Sequence, residues 1–161
     1  MSEPSAQPHA RVAAVAAALR AAGALGEPRE LPASTRTAAE AAAALGCEVG
    51  AIANSLVFLA DGEPLLVMTS GAHRVDTVAL AARLGVDRIR RADPDRVREA
   101  TGQPIGGVSP VGHPSPLPTV VDVTLAGYDR IWAAAGTANA VFPTTFGELV
   151  RITSGRPLDV A

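Results

Sequence analysis

Apolar and polar positions alternate along the chain with two periods, and the places where the period changes mark the elements. Over residues 9–22, Val12, Val15, Leu19 and Ala22 recur on one helical face, and Gly23 and Gly26 follow as stops. Residues 29–32 read as a short extended piece, with Pro32 suited to a sheet edge. Thr37 and Glu40 have the spacing of a capping box, so a helix is predicted to run from there to Leu45, with Gly46 as its stop. Two nearly continuous apolar runs, 52–59 and 64–69, flank Asp61-Gly62, which predicts a hairpin of two strands buried on both faces. A helix over 75–84 ends at Gly85, and a short strand follows at 88–90. Asp93 as N-cap and Pro94 at the first helical position open a further helix to about Ala100. Strands are predicted at 119–123, 130–134 and 141–142, and Thr144 or Thr145 caps a last helix to Val150. Strands and helices mix without strict alternation, which predicts one α/β domain around a mixed sheet over residues 9–161, after a short disordered lead at 1–8.

The periodicity fails most completely between Thr101 and Gly112. Four glycines and two prolines in that run of twelve residues exclude a helix or a regular strand. They suit a backbone-lined loop of fixed shape: Gly106 and Gly107 carry no Cβ, so a ligand can touch the main chain there, and Pro110 stiffens the exit. An ordinary surface turn is the other reading of the same residues.

Composition narrows the chemistry. The chain has 161 residues, 48% of them hydrophobic but only 3% aromatic, so its core is built from Ala, Val, Leu and Ile. No apolar run reaches the length of a membrane span, and residues 1–8 lack the pattern of a secretory signal. A single cysteine, Cys47, rules out an intramolecular disulfide and fits a reducing cytoplasm. Net charge is −2, and all 14 basic residues are arginine. No lysine is therefore present to form a Schiff base or act as a general base. Arg83, Arg88, Arg90, Arg91, Arg96 and Arg98 interleave with Asp87, Asp93, Asp95 and Glu99, which reads as a self-paired solvated face or as a local patch for phosphates. No Cys/His cluster suggests a metal, and no phosphate-loop or dinucleotide motif is complete.

Five stretches together resemble the YbaK/EbsC family of aminoacyl-tRNA deacylases. They are Ile52-Ala53-Asn54-Ser55-Leu56-Val57-Phe58, Thr69-Ser70-Gly71, Gly106-Gly107-Val108-Ser109-Pro110, Leu117-Pro118-Thr119-Val120-Val121-Asp122 and Ala135-Gly136-Thr137-Ala138-Asn139. That family is similar to the editing domain inserted in bacterial prolyl-tRNA synthetases, and the resemblance runs from about Arg29 to the C-terminus. It implies a curved, barrel-like mixed sheet flanked by helices. It implies a cytoplasmic hydrolase that removes a wrong amino acid, of alanine, cysteine or proline size, from tRNA in trans. The tRNA acceptor end is the implied partner, with a synthetase as a further one, and no cofactor or metal is needed.

Under that resemblance Asn54, Gly106, Gly107 and Ser109 are the candidate catalytic residues. Ser55, Thr69, Ser70, Gly71, Val108, Pro110, His113, Asp122, Gly136, Thr137 and Asn139 are the candidate substrate-binding residues. Asn54 stands where the family pattern has lysine; its amide either bonds neighbouring main chain or faces the pocket to bond the ester or terminal ribose. Asp122, inside an apolar strand, is expected to hold the 106–110 loop through its amides. Asn139 either closes a turn or reaches substrate. Ser109, His113 and Asp122 can be drawn as a triad, but Ser109 lacks the strand-to-helix elbow of a hydrolase nucleophile. The rival reading is a weakened or inactive member of the family that binds an aminoacyl-tRNA end, a small amino-acid-like ligand or a protein partner, with Asn54 as its main support.

Overall fold

The Asp61-Gly62 turn folds the two apolar runs back on each other. Both residues adopt left-handed backbone, at φ 49° and 88°, which matches the twist of a tight hairpin. The computed structural model describes residues 8–161. The lead expected at 1–8 lies outside these residues except for Pro8, where the first helix begins. The elements are α1 (Pro8–Ala21), β1 (Arg29–Glu30), α2 (Ala38–Leu45), β2 (Ile52–Ala60), β3 (Glu63–Ser70), α3 (Thr77–Leu84), β4 (Ile89–Arg91), α4 (Pro94–Thr101), β5 (Thr119–Asp122), β6 (Ile131–Ala134), β7 (Ala140–Thr144), α5 (Phe146–Thr153) and β8 (Arg156–Leu158). One mixed sheet runs in the order β1-β7-β6-β2-β3-β5-β8, and β4 also pairs with β2.

Helices cover both faces of this sheet. On one face Val15 and Leu19 of α1, Val97 of α4 and Leu149 of α5 pack with Ala53, Val57, Leu59, Met68 and Phe142. On the other, Leu80 and Ala81 of α3 pack on Phe58, Leu65 and Val67. Beside them Ala41 and Ala42 of α2 pack on Ile52, Trp132 and Val141. Local chemistry sets the helix ends as expected. Thr37 and Glu40 complete the capping box of α2, Asp93 caps α4, and Gly46, Gly85 and Gly102 end their helices in left-handed backbone.

Four details differ from the sequence pattern. The middle of β2 is open rather than buried: Asn54 is exposed, and Ser55 and Leu56 are half-buried. β5 stops at Asp122 because that carboxylate accepts the Thr124 amide and starts a 3-10 turn, Val123–Gly127. α3 starts two residues later than the periodicity suggests, where Asp76 accepts the Ala79 amide. β8 and a second 3-10 turn, Val49–Ala51, carry no apolar signal of their own, because neither is a long buried run.

The pairing of β2 creates the one irregularity that matters for function. Along one edge it is bonded to β3 throughout. Along the other, pairing with β6 covers only Ile52 and Ala53, and pairing with β4 begins at Phe58. Residues 54–57 therefore have no strand neighbour on that side.

Candidate functional site

A cleft of about 210 Å³ lies at this gap in the sheet. Asn54, Ser55, Leu56 and Val57 form its floor, the start of α2 forms one wall, and Ile105 to Val108 of the glycine-rich loop form another. Strand parity says what the floor presents. Successive residues turn their main-chain groups to opposite edges. The Ile52 carbonyl accepts Gly71 N–H on the β3 side, and the Val57 carbonyl accepts Ala92 N–H on the β4 side. Ser55, of the same parity as Val57, thus directs its N–H and C=O to the open edge.

The glycine-rich loop is held from inside by Gln103. Its Nε2 donates to Ser109 Oγ (3.1 Å), and its Oε1 accepts Ser109 N–H (2.8 Å). Thr101 Oγ1 in turn accepts Gln103 N–H (3.0 Å). This double contact closes residues 104–108 into a fixed arch. Gly106 is at its apex, with φ 89° and open space where a Cβ would stand. Gly107 differs: an added Cβ would lie 2.5 Å from the carbonyl carbon of Thr137 and 2.8 Å from Ala138 N. Its bare Cα therefore admits the crossing 137–138 chain rather than a ligand, while Gly107, like Gly106, still lines the cleft. The crossing is fixed by Gly136 N–H donating to the Gly107 carbonyl (3.1 Å).

Among the described residues, no protein acceptor takes the amide N–H of Gly106, Gly107 or Val108. Gly107 and Val108 are buried, and all three residues line the cleft. Buried main-chain donors nearly always find a partner, so the two at Gly107 and Val108, next to the exposed Gly106 amide and beside a cavity, mark a place where something from outside the chain can accept them. The Asn54 side chain likewise makes no hydrogen bond to the described residues and faces the cleft. Its amide is thus at the cleft and is not bonded to neighbouring main chain. Ser55 lines the cleft too, but its Oγ lies 3.2 Å from Met68 Sδ and turns toward the core.

The other candidates sit elsewhere. Ser109 is fully buried and its Oγ donates to the Val111 carbonyl, so it serves the arch and does not meet the cleft. Pro110 is buried beside it. His113 Nε2 lies 2.8 Å from the Ser109 carbonyl oxygen, not from Oγ, so the drawn triad does not form. His113 opens instead on a second cavity behind the arch. Burial holds its imidazole below the ordinary value of 6.5, with the Ser109 carbonyl acting the other way. Thr137 and Asn139 close a turn: Thr137 Oγ1 donates to Asn139 Oδ1 (3.2 Å), and Asn139 Nδ2 donates to the Leu31 carbonyl (2.9 Å).

Thr69, Ser70, Gly71 and Asp122 gather in a separate cluster. The fully buried Asp122 carboxylate accepts Ser70 N–H (3.0 Å) and Thr124 N–H (2.9 Å), and Thr69 Oγ1 approaches it at 3.5 Å. His73 Nδ1 lies 2.9 Å from Asp122 Oδ2. Asp122 therefore ties the ends of β3 and β5 together and does not touch the 106–110 loop. Gly71 is packed against the Val49 carbonyl, where an added Cβ would come within 2.5 Å. Sequence reasoning missed His73 as the partner of Asp122 and Gln103 as the staple of the arch. A lone amide in a Gly/Pro-rich run was the only signal for Gln103. Among the described residues no group of His, Cys, Asp and Glu could hold a metal ion, and no helix is long and apolar enough to cross a membrane.

Among the described residues, none that lines the cleft is a carboxylate, an imidazole or a thiol. The site is thus built to orient and polarise a reactive group, not to shuttle protons through side chains. The model of the aminoacyl-tRNA editing domain matches residues 32–152, and the chain belongs to that family. It is accordingly an aminoacyl-tRNA deacylase, a hydrolase of the aminoacyl ester.

Among solved structures, a candidate trans-editing enzyme for prolyl tRNA synthetase is 44% identical and superposes with a TM-score of 0.88, over 93% of this chain and 96% of that one. The hypothetical protein APE2540 is 32% identical with a TM-score of 0.83, over 91% of this chain and 98% of that one. The uncharacterized protein YwhH of Bacillus subtilis is 31% identical over 74% of this chain and 76% of its own length. A proline--tRNA ligase of Geobacter sp. is 31% identical over 62% of this chain, and the match spans only 18% of the ligase.

Proposed function

We propose that the chain acts in trans on tRNA misacylated with a small amino acid of alanine or cysteine size, in the service of prolyl-tRNA synthesis. The observation that carries this reading is the row of unpartnered amides at Gly106–Val108, on residues that line the same cleft as Asn54. An aminoacyl ester is already activated, so its hydrolysis calls for orientation and donors to the developing oxyanion more than for a strong nucleophile. Water attacks the ester carbonyl, the carbonyl oxygen gains charge and is met by the Gly106–Val108 amides, and the bond to the ribose oxygen breaks. The proton lost by water ends on that ribose oxygen, leaving a free amino acid and a tRNA with its terminal hydroxyl restored. Asn54, which can donate and accept, holds the terminal ribose. The apolar walls, Ile52, Val97, Val108, Trp132 and Val141, accept a short side chain and exclude large ones by size. Relatives named for prolyl tRNA synthetase and proline--tRNA ligase support the choice of system. The same reading places the chain where tRNA is charged, in the cytoplasm, with the synthetase as the source of substrate.

A panel of misacylated tRNAs, followed for loss of the ester, tests this reading. The expected result is turnover of one small-residue ester on tRNA for proline, well above the buffer rate and sparing the correctly charged prolyl-tRNA. Saturable binding with no ester loss across the panel overturns it in favour of the binding-only alternative.

A further inference from the structure

The chain has no lysine and a net charge of −2, so attraction for tRNA phosphates has to come from arginines placed locally. Several arginines are committed elsewhere. Arg96 pairs with Glu99 (3.3 Å), Arg83 donates to the Asp159 carbonyl (2.9 Å), and Arg151 donates to the Ala22 carbonyl (2.8 Å). Arg29 and Arg130 lie over the Trp132 ring at 5.0 and 6.0 Å. Two others, Arg36 and Arg91, line the cleft.

We propose that Arg36 and Arg91 form a two-sided guanidinium clamp for the phosphates of the tRNA's terminal nucleotides. The proposal rests on the editing function above and names how the tRNA end is held. Arg36 precedes the N-cap of α2, which packs beside Ile52 and Trp132 where β2 leaves β6. Arg91 is paired with Phe58 where β2 meets β4. The two side chains thus flank the open stretch of β2 at its two ends. At the usual strand rise, Ala53 to Phe58 spans roughly 17 Å, so the two arginines approach the cleft from opposite ends.

Neither guanidinium is held in a salt bridge to a described residue, although the Arg36 charge acts on nearby Glu40. Among the described residues no carboxylate lies within ion-pair distance of Arg36 or Arg91. The nearest acid to Arg36 along the chain is Glu40. Its Oε1 accepts the Arg36 and Thr37 amides (2.9 and 3.0 Å), and these bonds hold its carboxyl below the ordinary value. That acid is spent on the helix cap. Arg91 lies over the Phe58 ring at 5.7 Å, a contact that orients the planar group while leaving its edge N–H donors available. A guanidinium presents a fork that matches two phosphate oxygens, which an ammonium does not.

The test uses two non-hydrolysable ligands: an oligonucleotide ending in CCA whose terminal adenosine carries an amide-linked alanine, and the same alanyl-adenosine without phosphates. Arg36→Gln, Arg91→Gln and the double variant are compared with the parent protein over a range of salt, and thermal melts check their fold. Each single variant should bind the oligonucleotide about ten-fold more weakly. The slope of log affinity against log salt should shrink by about 0.7 per arginine lost, while the phosphate-free ligand binds unchanged. Arg91→Lys should keep the slope but recover only part of the affinity. Equal losses for both ligands, an unaltered slope, or a parent protein that ignores the oligonucleotide would overturn the clamp. If the parent protein binds the oligonucleotide with the expected slope yet fails to hydrolyse the ester-linked form, the editing function falls and the clamp stands.

Discussion

Gly106 and Gly107 are neighbours with different reasons to lack a side chain. Gly106 needs left-handed backbone in open space, so Gly106→Ala should cost about 1–2 kcal/mol of strain and leave the arch in place. Gly107 needs room for the 137–138 main chain, and backbone cannot step aside as a flexible side chain can. Gly107→Ala should therefore cost more, up to about 3 kcal/mol, and reduce deacylation at least ten-fold because the arch shifts. Denaturant titration with a single-turnover deacylation assay separates the two. Asn54→Ala gives the opposite pattern. Its side chain is exposed and engages no described residue, so stability should change by less than about 0.5 kcal/mol while the deacylation rate falls. The glycine-rich run was visible in the sequence as a loop, but nothing there said that one glycine accommodates the protein itself. That depends on which distant segment crosses it, a tertiary fact with no local trace.

Among the elements, the helices were largely legible because their ends are written in local chemistry. Thr37 and Glu40 announced α2, and Asp93-Pro94 announced α4, three or four residues deciding each. Thr37→Ala should cost about 1 kcal/mol in global stability by removing the acceptor of the Glu40 amide. Because Thr37 also lines the cleft wall next to Arg36, ligand affinity should fall with it. The hairpin was legible from Asp61-Gly62, but the pairing along the far edge of β2 was not. Whether residues 54–57 meet a neighbour depends on where β6 and β4 end, and the apolar run suggested burial throughout. Asn54 and Ser55 were the polar residues in that run, and they mark the open stretch. The Asp122 cluster shows the reverse failure: a carboxylate in an apolar strand pointed to donors, but to the wrong ones. Asp122→Ala should destabilise by about 2–4 kcal/mol, since it leaves the Ser70 and Thr124 amides without their acceptor. The Gly106–Val108 amides should stay in place, which hydrogen exchange can follow residue by residue.

On the scale of the whole molecule, the fold separates what holds the site from what uses it. Gln103, Ser109 and His113 stand behind the arch, while the cleft itself is lined by main-chain donors, Asn54, Ser55, Thr37, two arginines and apolar residues. The mixed sheet and its helices followed from the alternation of apolar patterns, but the division into support and site did not, since both draw on the same short run of sequence. Burial lowers the His113 proton affinity in the folded chain, so the unfolded chain binds that proton first as pH falls. Its contribution to stability is full above the ordinary value of 6.5 and is lost as pH falls through the lower folded value. His113→Gln should flatten that part of the stability profile, read by denaturation at a series of pH values.

The central claim is that main-chain amides of the arch receive the substrate's carbonyl. Amide-resolved NMR during titration with amide-linked alanyl-adenosine tests it most directly. The Gly106, Gly107 and Val108 N–H signals should shift together in a saturable way and exchange more slowly with solvent, with the Ser70 and Thr124 amides at Asp122 unmoved. Saturable binding that leaves those three signals where they were would contradict the claim.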